Sequence, residues 1–263
     1  MSVMVYSLIA FCSFFFIVVP ITGGVVLNPL LALIVDPHSA IGMSVFFFMV
    51  NSTIKAFIFR DKIVLQYVFD MLPLSIIFTV IGSIMIGVIS EFWLYMAMLT
   101  MTVYFLYKKI IRVLGSGKKI SKNGNFTGNI LVSAASGFMQ GAGLGGGGSL
   151  RKSYFLSNGL SLVEMHGTTA VLSMVLGGVA TTLRLGTDQV QFGELLPIVY
   201  LSPLLVAATL LGRHAVIRLN ERLADKIIIG TFLATILLII YQIAQVLYGP
   251  DSIIARMRRR LRA

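Results

Sequence analysis

The chain has 263 residues, of which 57% are hydrophobic and 12% charged, with a net charge of +11 and a mean hydropathy of +0.93. Soluble domains are about 45–50% apolar and about 25% charged, so composition excludes a water-soluble fold and points to an integral membrane protein. Cys12 is the single cysteine, which excludes an intrachain disulfide.

The first apolar run, 3–20, has no basic n-region and no small-residue cleavage site after it. It is expected to remain as a membrane helix. Further runs at 39–60, 70–89, 91–112, 127–144, 162–184, 194–213 and 224–247 are near the ~20 residues needed to cross hydrocarbon. Two pieces, 24–35 and 147–159, are too short to cross and fit half-helices covered by protein or lining a wet cavity. Continuous apolar runs, rather than apolar–polar alternation, favour helices over a β-barrel. The expected fold is an all-α integral membrane protein with about eight transmembrane helices.

Similar segments recur at an offset of 124 to 125 residues. "DMLP" at 70–73 returns as "ELLP" at 194–197, Gly42 pairs with Gly167, Gly87 with Gly212, and Gly23-Gly24 with Gly147-Gly148. The spacing predicts two homologous four-helix halves, each with a Gly-rich break and a short half-helix. The expected division is 1–114 for the first half, 115–126 for a basic linker, 127–250 for the second half and 251–263 for a basic tail.

Most of the positive charge lies in two clusters. One holds Lys108, Lys109, Arg112, Lys118, Lys119 and Lys122; the other holds Arg256, Arg258, Arg259, Arg260 and Arg262. Short basic segments beside membrane helices mark the cytoplasmic side. A nucleic-acid partner would need a basic face with base-reading or stacking groups and is not expected. Both clusters inside would make the halves parallel, with both termini cytoplasmic in a plasma or inner membrane. That arrangement leaves the stretch from Arg213 to Lys226, with four basic and two acidic residues, on the outside. An inverted arrangement, with an odd number of crossings per half, is the alternative.

Asp70 and Glu194 each stand three residues before a proline. Proline is tolerated in a helix's first turn, so both are expected to cap helix N-termini, with a coupling role as the alternative. Lys55 and Arg184 lie near span ends and are expected to snorkel to the interface. His38, His166 and His214 share no metal-ligand spacing, and no metal or cofactor is expected.

The most unusual stretch is "QGAGLGGGGSLRKS" at 140–153. It contains GxGxxG as Gly141, Gly143 and Gly146, but it follows a membrane helix rather than a strand, so a dinucleotide site is not expected. Four glycines in a row, Gly145, Gly146, Gly147 and Gly148, predict a chain break, since each costs about 1 kcal/mol against Ala inside a helix. A short helix after a break offers unpaired N–H groups and a positive dipole end to an anion. Ser149 lies in its first turn, and Arg151 and Lys152 add full positive charge, either at such a site or at its outer mouth. The matching segment "GGVVLNP" supplies Gly23, Gly24 and Asn28.

"GGVVLNPLLALIVDPHSAIGMS" and "GFMQGAGLGGGGSL…EMHGTT" resemble the two copies of the motif of the sulfite exporter TauE/SafE family of permeases. The resemblance extends to "LLGRHAVIRLNERLADKIIIGTFL" near the end of the chain. It implies a multi-helix permease with two homologous halves, acting on sulfite, organosulfonates or small carboxylate anions. The family's glycine segments fall on Gly23-Gly24 and Gly145 to Gly148, its polar turn on Pro37-His38, and its small polar helix starts on Gly42 to Ser44 and on Gly167, Thr168 and Thr169. The chain departs from the pattern at Arg151-Lys152, where apolar residues are usual, and at Ser153-Tyr154, where Pro-Leu is usual.

The expected function is therefore a secondary transporter of a small anion, driven without ATP because no ATPase motif is present. Either coupling to an ion or proton, with Glu164 and His166 as candidate coupling residues, or facilitated flow is expected. An accessory or structural membrane subunit and a membrane-embedded enzyme are the alternatives.

Overall fold

The computed structural model describes residues 23–114, 126–207, 209–210 and 221–248. Among these, every regular element is a helix. The first is the short α1 (Gly23–Leu31), followed by α2 (Pro37–Ile58), a 3-10 turn (Arg60–Lys62), α3 (Leu65–Val88) and α4 (Glu91–Leu114). After the basic linker come α5 (Phe126–Gly141), the short α6 (Gly147–Ser157), α7 (Leu162–Gly186), α8 (Phe192–Tyr200) and α9 (Glu221–Tyr248). Helices α2, α3, α4, α7 and α9 are long and apolar enough to cross a membrane. The expected first span 3–20, Cys12, most of the linker, Gly212 and the tail lie outside the described residues.

Local chemistry sets the boundaries. Asp36 caps α2, its Oδ1 accepting from the N–H groups of His38 and Ser39 at 3.0 Å each, with Pro37 in the first turn. Ser161 and Glu164 form a capping box on α7. Glu194 caps α8 by accepting from the Gln191 N–H at 3.0 Å. Asp70 does not cap. Helix α3 starts five residues earlier than the proline pattern predicts, so Asp70 lies inside it and exposed, with Pro73 in the helix interior. The Val64 N–H at that start is held instead by Thr168 Oγ1 at 3.0 Å.

Contacts between helices fix their directions. Ser75, Thr79 and Ser83 of α3 donate to the carbonyls of Ser133, Gly137 and Gly141 of α5, at 3.1, 3.0 and 3.1 Å. The constant offset makes these helices parallel. Small residues on both faces allow the approach, as a Cβ on Gly82 would fall 2.5 Å from the Phe138 carbonyl oxygen. Helix α6 then runs back along α5: Gly147 lies against Ser136, and Tyr154 against Gly128. The expected crossing over 127–144 is thus the outward arm of a re-entrant hairpin that returns to the end where it began.

The short helix α1 also starts at mid-depth, where Gly24 meets Phe48 in the middle of α2, and ends at the turn before Pro37. Gly177 lies against Met49 and Gly167 against Phe59, so α7 runs antiparallel to α2. The pair α1–α2 therefore runs opposite to the pair α6–α7. This overturns the parallel arrangement suggested by the basic clusters and gives the inverted one. Asp225, at the start of α9, pairs with Lys109, near the end of α4, which brings the described end of the stretch that fitted poorly to the basic end of the bundle.

Candidate functional site

The site is built where the two short helices begin. Gly24 and Gly145 touch through their backbones, since a Cβ on Gly24 would lie 2.9 Å from Gly145 Cα. Asn28, fully buried on α1, donates from Nδ2 to the Gly143 carbonyl at 2.6 Å. The break is open because Gly143, Gly145 and Gly146 hold φ of +66°, +77° and +87°, a region that L side chains avoid. From this junction α1 and α6 diverge toward opposite ends of the bundle. Both N-termini, where helix dipoles are positive and N–H groups lack intrahelical partners, thus face the centre.

Arg151 settles the question of depth. It is fully buried. Side chains on a helix lean toward its N-terminus, and this one reaches back to Gln140 Oε1 at 3.0 Å and to Ser173 Oγ, near the middle of α7, at 2.9 Å. Both bonds come from Nη2; Nε and Nη1 have no partner. No carboxylate lies within ion-pair distance of it among the described residues. An unpaired charge at bilayer centre costs about 2.5–3.5 kcal/mol on insertion scales, so such groups mark functional sites.

The other predicted residues differ in burial. Gly23, Gly24, Asn28, Gly146, Gly147, Thr168 and Thr169 are buried, while Gly145, Gly148 and Ser149 are half-buried at the start of α6. Thr169 lies beside Gly148, and its Oγ1 is buried without a partner. Ser44 is buried on α2, one turn from Ile41, which meets Gly143. Thr168 is engaged at the start of α3. Lys152 is half-buried and interacts electrostatically with Arg151, Lys55 and His166, which makes a cationic group between Arg151 and the basic end. His166 also stacks on Phe59, with ring centroids 6.2 Å apart. Glu164 is taken up by its capping box with Ser161.

Two polar partners were not predicted. Gln140 could have been noticed as a long polar side chain near the end of an apolar helix; Ser173 carries no sequence signal. Arg184 does not snorkel as expected. It is fully buried and donates from Nη2 to the Gly141 carbonyl at 2.7 Å. Among the described residues no three His, Cys, Asp or Glu side chains converge into a metal-binding group.

Residues 5–239 match the family described as Sulfite exporter TauE/SafE. The chain belongs to this family. No curated protein and no solved structure gives a match. TauE/SafE membership and the long apolar helices make the protein a multi-pass membrane transport protein. Within the TauE/SafE match fall both half-helices, Arg151, Gln140, Ser173 and Arg184.

Proposed function

We propose that this protein is a secondary transporter of a small sulfur oxyanion or organosulfonate, bound where the two half-helices meet. The observation that carries the reading is Arg151: fully buried, without a carboxylate partner among the described residues, with two unpaired nitrogens. An anion placed there receives a guanidinium and two helix N-termini, the arrangement transporters use for anionic groups at the membrane midplane. The Thr169 hydroxyl and the Asn28 amide supply orientation. Sulfite fits this donor-rich surroundings because its oxygens accept and none needs a buried acid. Related small oxyanions fit for the same reason.

The inverted pairs α1–α2 and α6–α7 support alternating access, in which two homologous halves expose the same site to either end in turn. The cations Lys152 and Lys55 draw the anion in from the basic end, which the positive-inside bias assigns to the cytoplasm. His166 interacts electrostatically with both cations, which supports it as the coupling candidate over Glu164. Reconstitution in liposomes tests the reading: a sulfite gradient should drive saturable flux through the purified protein. Flux no greater than in empty liposomes, for sulfite, sulfonates and small carboxylates alike, would overturn it.

A further inference from the structure

We propose that Arg184 is a positioning residue for the anion site, fixing the end of α5 so that Gln140 holds Arg151 in place. This rests on the reading that Arg151 binds the anion. The Gly141 carbonyl is the last of α5 and lacks an intrahelical donor. It receives Arg184 Nη2 at 2.7 Å and Ser83 Oγ at 3.1 Å. The residue before it is Gln140, whose Oε1 accepts from Arg151 at 3.0 Å. Two residues after it, the Gly143 carbonyl accepts from Asn28, and a Cβ on Gly143 would lie 3.4 Å from Arg184 Nη2. One guanidinium thus braces the peptide segment between the two bonds that define the site. A cation at a helix C-terminus also complements the dipole.

Arg184 is itself anchored. Its Nη1 donates to Gln189 Oε1 at 3.2 Å, and the Gln189 N–H donates to the Arg184 carbonyl at 3.0 Å. With both terminal nitrogens engaged and only Nε unpartnered, the group is a brace rather than a second anion station. Its action on the anion runs through Gln140.

The test is a double-mutant cycle on the full-length protein in liposomes, with sulfite as probe. Arg184→Gln and Gln140→Ala should each raise KM several-fold, and the double variant should not exceed the worse single by more than about twofold, the mark of shared action. Arg184→Lys should recover most of the lost affinity. Gln189→Ala loosens the same guanidinium without removing it, and should raise KM in the wild-type background but not with Gln140→Ala. A merely structural role would lower Vmax and leave KM in place. Unchanged KM in Arg184→Gln and Gln189→Ala, or multiplicative effects in the double variants, would overturn the proposal. If Arg151→Gln raises KM and the Arg184 variants do not, only the brace fails; if Arg151→Gln leaves KM unchanged, the anion site fails with it.

Discussion

Gly24 and Gly145, far apart in sequence, lie backbone against backbone: a Cβ on Gly145 would fall 2.6 Å from the Val25 nitrogen, and one on Gly24 2.9 Å from Gly145 Cα. The two chain breaks are therefore halves of one junction. It can form only if both positions lack a side chain, because the obstacle is backbone and cannot rotate away.

Substituting either glycine should open this junction. Overpacking a tight contact costs about 1–3 kcal/mol. Gly145→Ala carries a further ~1–2 kcal/mol because φ there is left-handed. Both variants should melt earlier in detergent, Gly145→Ala by more, and both should lose sulfite flux. Gly230→Ala on α9, where a Cβ meets nothing within 4 Å, is the control and should melt no earlier than wild type. Equal melting of all three variants would remove the junction's close contact from the account.

Arg151 and Lys152 differ in surroundings and should differ in effect. Arg151 is sealed at mid-depth by Gln140 and Ser173, whereas Lys152 is half-buried toward the basic end. Arg151→Gln should lower sulfite flux at subsaturating concentration roughly 100-fold, as expected when a hydrogen bond of about 1.5–3 kcal/mol to a charged group is lost. Lys152→Gln should weaken uptake by a smaller factor, and by less as salt rises, because a charge that still reaches solvent is partly screened. Initial rates at low and high ionic strength separate the two roles.

Five of the expected spans and both short half-helices were legible in the sequence, because span length and Gly/Pro punctuation are local properties. Both half-helices, the Gly145 to Gly148 break and the cap at Glu194 could be read from neighbouring residues. Helix direction could not, because it depends on contacts such as Ser75 with Ser133 and Lys109 with Asp225, which pair residues far apart in the chain. Charge counting gave the wrong relation between the halves for that reason. The depth of Arg151 was equally hidden: at the same sequence distance from a helix start, a long side chain can reach outward or back toward the centre. Arg184 was misread by the same ambiguity at a helix end.

Asp70 and Glu194 matched in the sequence repeat but hold different places in the structure. Glu194 accepts from the Gln191 N–H, whereas Asp70 is exposed inside α3. Glu194→Ala should cost about 0.5–2 kcal/mol, the usual range for a lost cap. Asp70→Ala should stay within about 0.5 kcal/mol of wild type. Thermal unfolding in detergent reads both; equal losses would return Asp70 to a capping or buried role.

The inverted directions make a prediction about sidedness that the parallel alternative contradicts. Asp61 lies in the turn between α2 and α3, and Asp225 pairs with Lys109 at the same end. Asp188 lies at the opposite end, beside Gln189, which packs against Gly87 near the end of α3. With Cys12 replaced by Ala, single cysteines at 61 and 225 should react with a membrane-impermeant maleimide from the same side, and a cysteine at 188 from the other. Arg60, Lys62, Lys108 and Lys109 crowd the first end, while Asp36, Glu91 and Asp188 lie at the second. The positive-inside bias therefore puts 61 and 225 in the cytoplasm. Labelling of 61 and 225 from opposite sides would restore the parallel halves and separate the two half-helix N-termini that the anion site requires.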